Sequence, residues 1–337
     1  MKRLFCAFAA WVLLVGLTGL AKAQYTFTTI DAPGGTGGTN ARGINDRGQI
    51  VGDYRDAGHI SHGFLLDVDG SYTTLDVPGA FFGTYAYGIN ASGQIVGSYG
   101  ALGGTTHGFL LDVDGSYAAL DVPGAVETDA SGINASGQIV GLYVAMDDTL
   151  HGFLLDVDGS YTTLDVPGAT DTFASGINVS GQIVGVYFDM DAMDHGFLLD
   201  VDGSYTTLDV PGAIETDAVG INASGQIVGY YIGADHYYHG FLLDVDGSYT
   251  TLDVPGAGYA SQAYGINDAG QIVGSYVHSQ SVFSGFLLDV DGSYTPINVP
   301  GAYQTWAYGI NASGQIVGTY LDHGDRTTHA FLATPGG

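Results

Sequence analysis

Positive charge is scarce in this chain. Lysine occurs only at Lys2 and Lys22. After residue 23 the fixed cations are Arg42, Arg47, Arg55 and Arg326, against 35 carboxylates, a formal charge of −31. Such a surface argues against nucleic acid, whose binding rests on neutralising phosphates, and against anionic membrane surfaces. It suits cationic partners and neutral glycans.

Cysteine is nearly absent. The one copy, Cys6, sits in the apolar run Leu4 to Leu20. Lys2 and Arg3 precede that run and Ala21-Lys22-Ala23 follows it, the layout of an export signal cleaved after Ala23. The run is short for a membrane span. The expectation is a bacterial protein, secreted or periplasmic, with residues 1–23 as signal peptide and 24–337 as one repeat domain. It has no membrane span after cleavage and no disulfide. The core alone must then hold the fold, and about 314 residues suffice to build one.

Helical periodicity is missing as well. No apolar i, i+3, i+4, i+7 pattern lasts three turns beyond the signal, and glycine interrupts every stretch. G-x-S-x-G, H-E-x-x-H, P-loop and Rossmann patterns are also missing.

What is there is a repeat. The glycine of a Gly-Ile-Asn tripeptide recurs at Gly43, Gly88, Gly132, Gly176, Gly220, Gly265 and Gly309, at steps of 44 or 45 residues. Each unit reads GINASGQIVGSY, a variable loop, HGFLLDVDGSYTTLDVPGA, and a second variable loop. Asn90 to Gln94 and Asp112 to Ser116 are Asx-x-x-Gly turns that make tight hairpins. Four strands per unit at this period predict a seven-bladed all-β propeller of four-stranded antiparallel blades. Pro296, in the SYTT strand, belongs on a sheet edge. The order from the axis is then GIN, QIVG, HGF, SYTT. Tyr25 to Asp31 is an extra SYTT-like strand, and the last unit lacks one. The first strand is therefore expected to complete the last blade.

Parity puts both tight hairpins on one face and both variable loops on the other. The variable face is the predicted binding face, and its loops are expected to offer Phe81, Phe82, Tyr85, Phe173, Tyr237, Tyr238, Tyr259, Tyr303 and Trp306 as contacts. Aromatics of this kind stack on sugars and anchor protein interfaces. A glycan or a surface protein is the expected ligand, and the chain is expected to be monomeric and non-catalytic. The rival expectation is a polysaccharide hydrolase or lyase. It would need irregular residues such as Asp235, His236 and His278 to converge near the axis.

The repeated side chains read as structural. The HGF histidines, on third strands, stand too far apart to share a metal. The paired aspartates of D-V-D-G serve a hairpin and lack the other ligands of a calcium loop. They would bind calcium weakly at most, so no cofactor is expected. The N-x-S asparagines are turn residues, and the VGxY and SY tyrosines are packing residues.

At GINxxGQIVG followed by H-G/A-F the chain resembles the HAF family of bacterial extracellular repeat proteins, over Tyr25 to Leu332. That resemblance implies export and a repeat fold, with no catalytic residues to carry over. Ser284 departs from its histidine. The N-x-x-G-Q-I-V-G stretch is also faintly similar to the FG-GAP propeller repeat, without that family's full calcium loop.

Overall fold

The computed structural model describes residues 25–278, 282–324 and 326–336. The expected signal peptide lies outside them. The described residues are all β. None of them forms a helix long and apolar enough to cross a membrane.

β1 (Tyr25–Ile30) comes first. Unit 1 is β2 (Thr39–Ile44), β3 (Ile50–Arg55), β4 (Ser61–Leu66) and β5 (Tyr72–Leu75). Unit 2 is β6 (Ala80–Ile89), β7 (Ile95–Ala101), β8 (Thr106–Leu111) and β9 (Tyr117–Leu120). Unit 3 is β10 (Glu127–Ile133), β11 (Ile139–Val144), β12 (Leu150–Leu155) and β13 (Tyr161–Leu164). Unit 4 is β14 (Asp171–Ile177), β15 (Ile183–Phe188), β16 (Asp194–Leu199) and β17 (Tyr205–Leu208). Unit 5 is β18 (Glu215–Ile221), β19 (Ile227–Ile232), β20 (Tyr238–Leu243) and β21 (Tyr249–Leu252). Unit 6 is β22 (Ala260–Ile266), β23 (Ile272–Val277), β24 (Phe283–Leu288) and β25 (Tyr294–Ile297). Unit 7 is β26 (Ala302–Ile310), β27 (Ile316–Asp322) and β28 (Thr328–Pro335).

Within each unit the strands pair antiparallel in chain order, so the SYTT strand, with Pro296 in unit 6, lies at the sheet edge. Units 5 and 6 are also joined by one parallel pairing, Tyr238 with Ala260. β1 pairs antiparallel with β28, from Tyr25↔Pro335 to Ile30↔Ala330, giving the order β1-β28-β27-β26. The first strands of successive units touch one another, β2 to β6 and onward to β26, and β26 touches β2.

The core lies between neighbouring sheets. One cluster joins Val51, Leu75 and Val77 of unit 1 to Ala86, Ile95 and Phe109 of unit 2. The HGF phenylalanines, Phe64 through Phe331, are all buried. Each contributes about 2–3 kcal/mol by leaving water.

The V-G glycine has a steric cause. A Cβ on Gly97 would collide with Tyr85 O, because the register slips between Ala86 and Gly88 and brings β6 onto β7. The turn glycines have a conformational one: Gly93 sits at φ 97°, which side chains avoid.

The tripeptide asparagine does more than cap its turn. Asn90 Oδ1 accepts from the backbone N–H groups of Ser92 and Gln94. Its Nδ2 donates to Gln94 Oε1 and, across the sheet boundary, to Asn134 O at 3.1 Å. The same donation runs from Asn45 to Asn90, Asn134 to Asn178, Asn178 to Asn222, Asn222 to Asn267, Asn267 to Asn311 and Asn311 to Asn45.

Candidate functional site

Gln94 Nε2 reaches Asp112 Oδ1 at 3.3 Å, so the two tight turns of unit 2 share one face. Strand starts such as Glu127 and the variable connections share the other.

On each first strand two positions alternate with buried residues just before the G-I-N tripeptide. They hold Asn40 and Arg42, Tyr85 and Tyr87, Asp129 and Ser131, Phe173 and Ser175, Asp217 and Val219, Gln262 and Tyr264, Trp306 and Tyr308. The threonine or serine before them and the alanine between them are buried nearly completely. That hydroxyl accepts from the crossover, as in Val122 N to Thr128 Oγ1. The buried residues secure the strand and leave the alternate pair to vary.

The pairs differ around the molecule. Tyr264 and Tyr308 are 5.6 Å apart between ring centroids. Arg42 lies over the Tyr87 ring at 5.3 Å. Its guanidinium is bound by Asp53, which also accepts from Asn40 Nδ2. Units 3, 4 and 5 instead carry the small side chains Ser131, Ser175 and Val219 at the position of these large ones.

A recess of about 470 Å³ opens between units 2 and 3. Phe82, Tyr85, Tyr87, Ser98, Gly100, Gly104, Thr106 and Asp129 line it. Burial pushes the Asp129 carboxyl up to about 6, although the Ser98 hydroxyl and the Arg42 charge pull it back. Ser98 is also hydrogen-bonded to Tyr87 Oη at 3.2 Å. Burial, with the Asp129 charge, raises Tyr87 to about 12. Asp217, beside Tyr230, is likewise lifted to about 6 by burial.

The nine predicted contact residues do not form one patch. Phe82 and Tyr85 line this recess, and Phe81 meets Phe82 edge-on at 4.9 Å. Tyr237, Tyr238 and Tyr259 line a smaller recess of about 150 Å³ with Asp235 and His239. Tyr303 belongs to a third, with Asp322, His323 and Arg326. Phe173 packs on Phe188 and Trp306 on Phe283. Their expected place in loops needs correction. β6 and β26 begin early, so Phe81, Phe82, Tyr85, Tyr303 and Trp306 are strand residues, as are Phe173 and Tyr238. Only Tyr237 and Tyr259 lie in connections.

The residues of the catalytic alternative have separate partners. Asp235 engages His239 Nε2 at 3.2 Å. His278 bonds Tyr276 Oη at 3.0 Å, and His236 is exposed at a turn with φ 64°. Asp53, Tyr87, Asp129, Asp217, Tyr230, Tyr264 and Tyr308 are not among the residues the sequence singles out, and Arg42 stands out there only as a rare cation. The signal was available: with seven copies aligned on the tripeptide, two first-strand columns change chemistry from unit to unit.

The HGF histidines are built into their sheets. His151 Nδ1 bonds Asp165 at 2.7 Å, its ring stacks on Tyr143 at 5.1 Å, and Nε2 meets Thr149 Oγ1. Unit 6 changes the group as a set. Ser284 replaces the histidine, Asn298 its aspartate, and Pro296 the threonine that elsewhere meets the VGxY tyrosine. In the D-V-D-G turns, Asp112 Oδ1 accepts from Val113 N and Asp114 Oδ1 from Ser116 N.

The fold is that of a β-propeller. The chain is similar to the β-propeller domain of the Trilobed protease from Pyrococcus furiosus, with TM-score 0.60 and 13% identity over 87% of this chain and 95% of that one. It is similar to virginiamycin B lyase from Staphylococcus aureus, with TM-score 0.57 and 12% identity over 92% and 99%. It is also similar to puromycin hydrolase, with TM-score 0.56 and 14% identity over 86% of this chain and 51% of that chain. At these identities the likeness concerns the fold alone. No protein-family model and no curated protein sequence matches the chain.

Proposed function

We propose that this protein is an exported, non-catalytic binding propeller that holds a glycan on the face carrying its variable connections. Seven units form a closed ring in this reading, with β1 completing unit 7. The β1–β28 register, the contact of β26 with β2 and the Asn311-to-Asn45 hydrogen bond support closure. The resemblance of the repeats to the HAF family fits export.

The observation that carries the binding role is the recess between units 2 and 3. It combines aromatic side chains with hydroxyls and one carboxylate. Aromatic faces take the apolar side of a pyranose, and polar groups at the rim fix its hydroxyls. The recess is built on strands paired within their sheet, which limits the ordering cost of binding.

A glycan array probed with the purified protein tests the reading. Tyr85→Ala is expected to abolish the strongest signals, and Tyr237→Ala, Tyr238→Ala and Trp306→Ala together to weaken others, all with unchanged Tm. Wild-type binding by every variant would show that the wrong face was chosen. Polysaccharide cleavage is the second reading: burial lifts the Asp129 and Asp217 carboxyls to about 6, a range suited to a general acid. Release of reducing or unsaturated ends from an array hit, lost in Asp129→Asn, would favour it over simple binding.

A further inference from the structure

We infer that the recess between β6, β7 and β10 accepts a protonated amine, and that its occupant is an amino sugar. This rests on the glycan reading and names the sugar class.

Asp129 is the only carboxylate in the lining. The groups acting on it are Ser98 from β7, Arg42 from β2, and Glu127 from its own strand, with Tyr87 from β6 alongside. Arg42 is committed elsewhere: Asp53 binds its guanidinium, which lies over Tyr87. No lysine follows Lys22. Among the described residues Asp129 therefore has no ion-pair partner.

An anion in an aromatic-walled recess without its own cation is complementary to an ammonium group. The ammonium would form a charge-assisted hydrogen bond with Asp129. It would also lie against the ring of Tyr85, whose π face attracts cations. The pyranose would cover Phe82 or Tyr85. A uronic acid would be repelled. An N-acetylated sugar would offer Asp129 a neutral N–H and no charge. The large negative charge of the whole chain would draw a cationic oligosaccharide in from a distance.

Calorimetric titration near neutral pH with a β-1,4-linked glucosamine tetramer and its fully N-acetylated counterpart tests this. The amine form is expected to bind about tenfold more tightly. Asp129→Asn should erase that preference with its Tm intact. Equal affinity for both tetramers, sensitive to Tyr85→Ala but not to Asp129→Asn, would overturn the inference and leave the glycan reading standing. A preference that survives in Asp129→Asn would also overturn it, by assigning the effect to the general acidic surface. If neither tetramer binds, the amino-sugar assignment is wrong, and the glycan reading is judged on the array.

Discussion

Asn178 shows how much one repeated side chain can hold. Its amide donates to Gln182 Oε1 and to Asn222 O of the next unit, and its oxygen accepts from Ser180 N and Gln182 N. The side chain is buried, as is Asn222. Asn178→Ala strands several of these groups away from water and is expected to cost about 2–3 kcal/mol. Denaturant unfolding measures it, and a midpoint equal to wild type would deny the asparagines a role between sheets. The turn function of this residue was legible in the sequence, because Asn-x-x-Gly is local chemistry. The bond to the next unit was not, since it joins residues 44 apart that only sheet packing brings together.

At the level of the element, the bulge on each first strand sets the close approach of first and second strands. Gly141 sits where a Cβ would overlap Asp129 O. Gly141→Ala is expected to cost roughly 3 kcal/mol, the upper end for overpacking. It should also weaken ligand binding, because Asp129 moves with its strand. Chemical denaturation and the calorimetric assay together check this. β1 is the other informative element. Removing residues 25–30 would leave β28 with an unpaired edge and uncover Phe331, against which Phe27 now packs with ring centroids 6.0 Å apart. The truncated chain is expected to melt lower and aggregate, as bare edges do. An unchanged Tm would count against closure by this strand.

For the whole molecule, pH and salt are the levers. Desolvation opposes protonation of His62, His195 and His239, but paired aspartates outweigh it and raise all three above 6.5. Their contribution to stability is complete below about pH 6.5 and is lost as pH rises through the folded-state value. Asp129 and Asp217, raised by burial from 3.8 to about 6, keep their protons longer folded than unfolded, so stability also falls between about pH 4 and 6. Turn carboxylates such as Asp69 and Asp114, lowered by hydrogen bonds from Ser71 and Ser116, act in reverse. Their contribution disappears as pH falls below 3.8. Thermal melts across pH should therefore peak on the acidic side of neutrality, and a maximum at pH 8 or above would contradict these assignments. Sodium chloride should raise Tm by screening repulsion at a formal net charge of −28.

The sequence by itself determined the four-strand unit, its two Asx-Gly hairpins, the edge position of Pro296 and the sorting of hairpins from variable loops. Each of these follows from period, turn chemistry or strand parity within a few tens of residues. Tertiary structure alone decided which side chains meet. It carried Arg42, Tyr87, Ser98 and Asp129 from three units into one neighbourhood, and it dispersed the predicted contact aromatics, most of them on strands, over several separate places. The physical reason is that neighbouring first strands pack side by side, so proximity there depends on sheet-to-sheet distance and strand register, which no single repeat encodes.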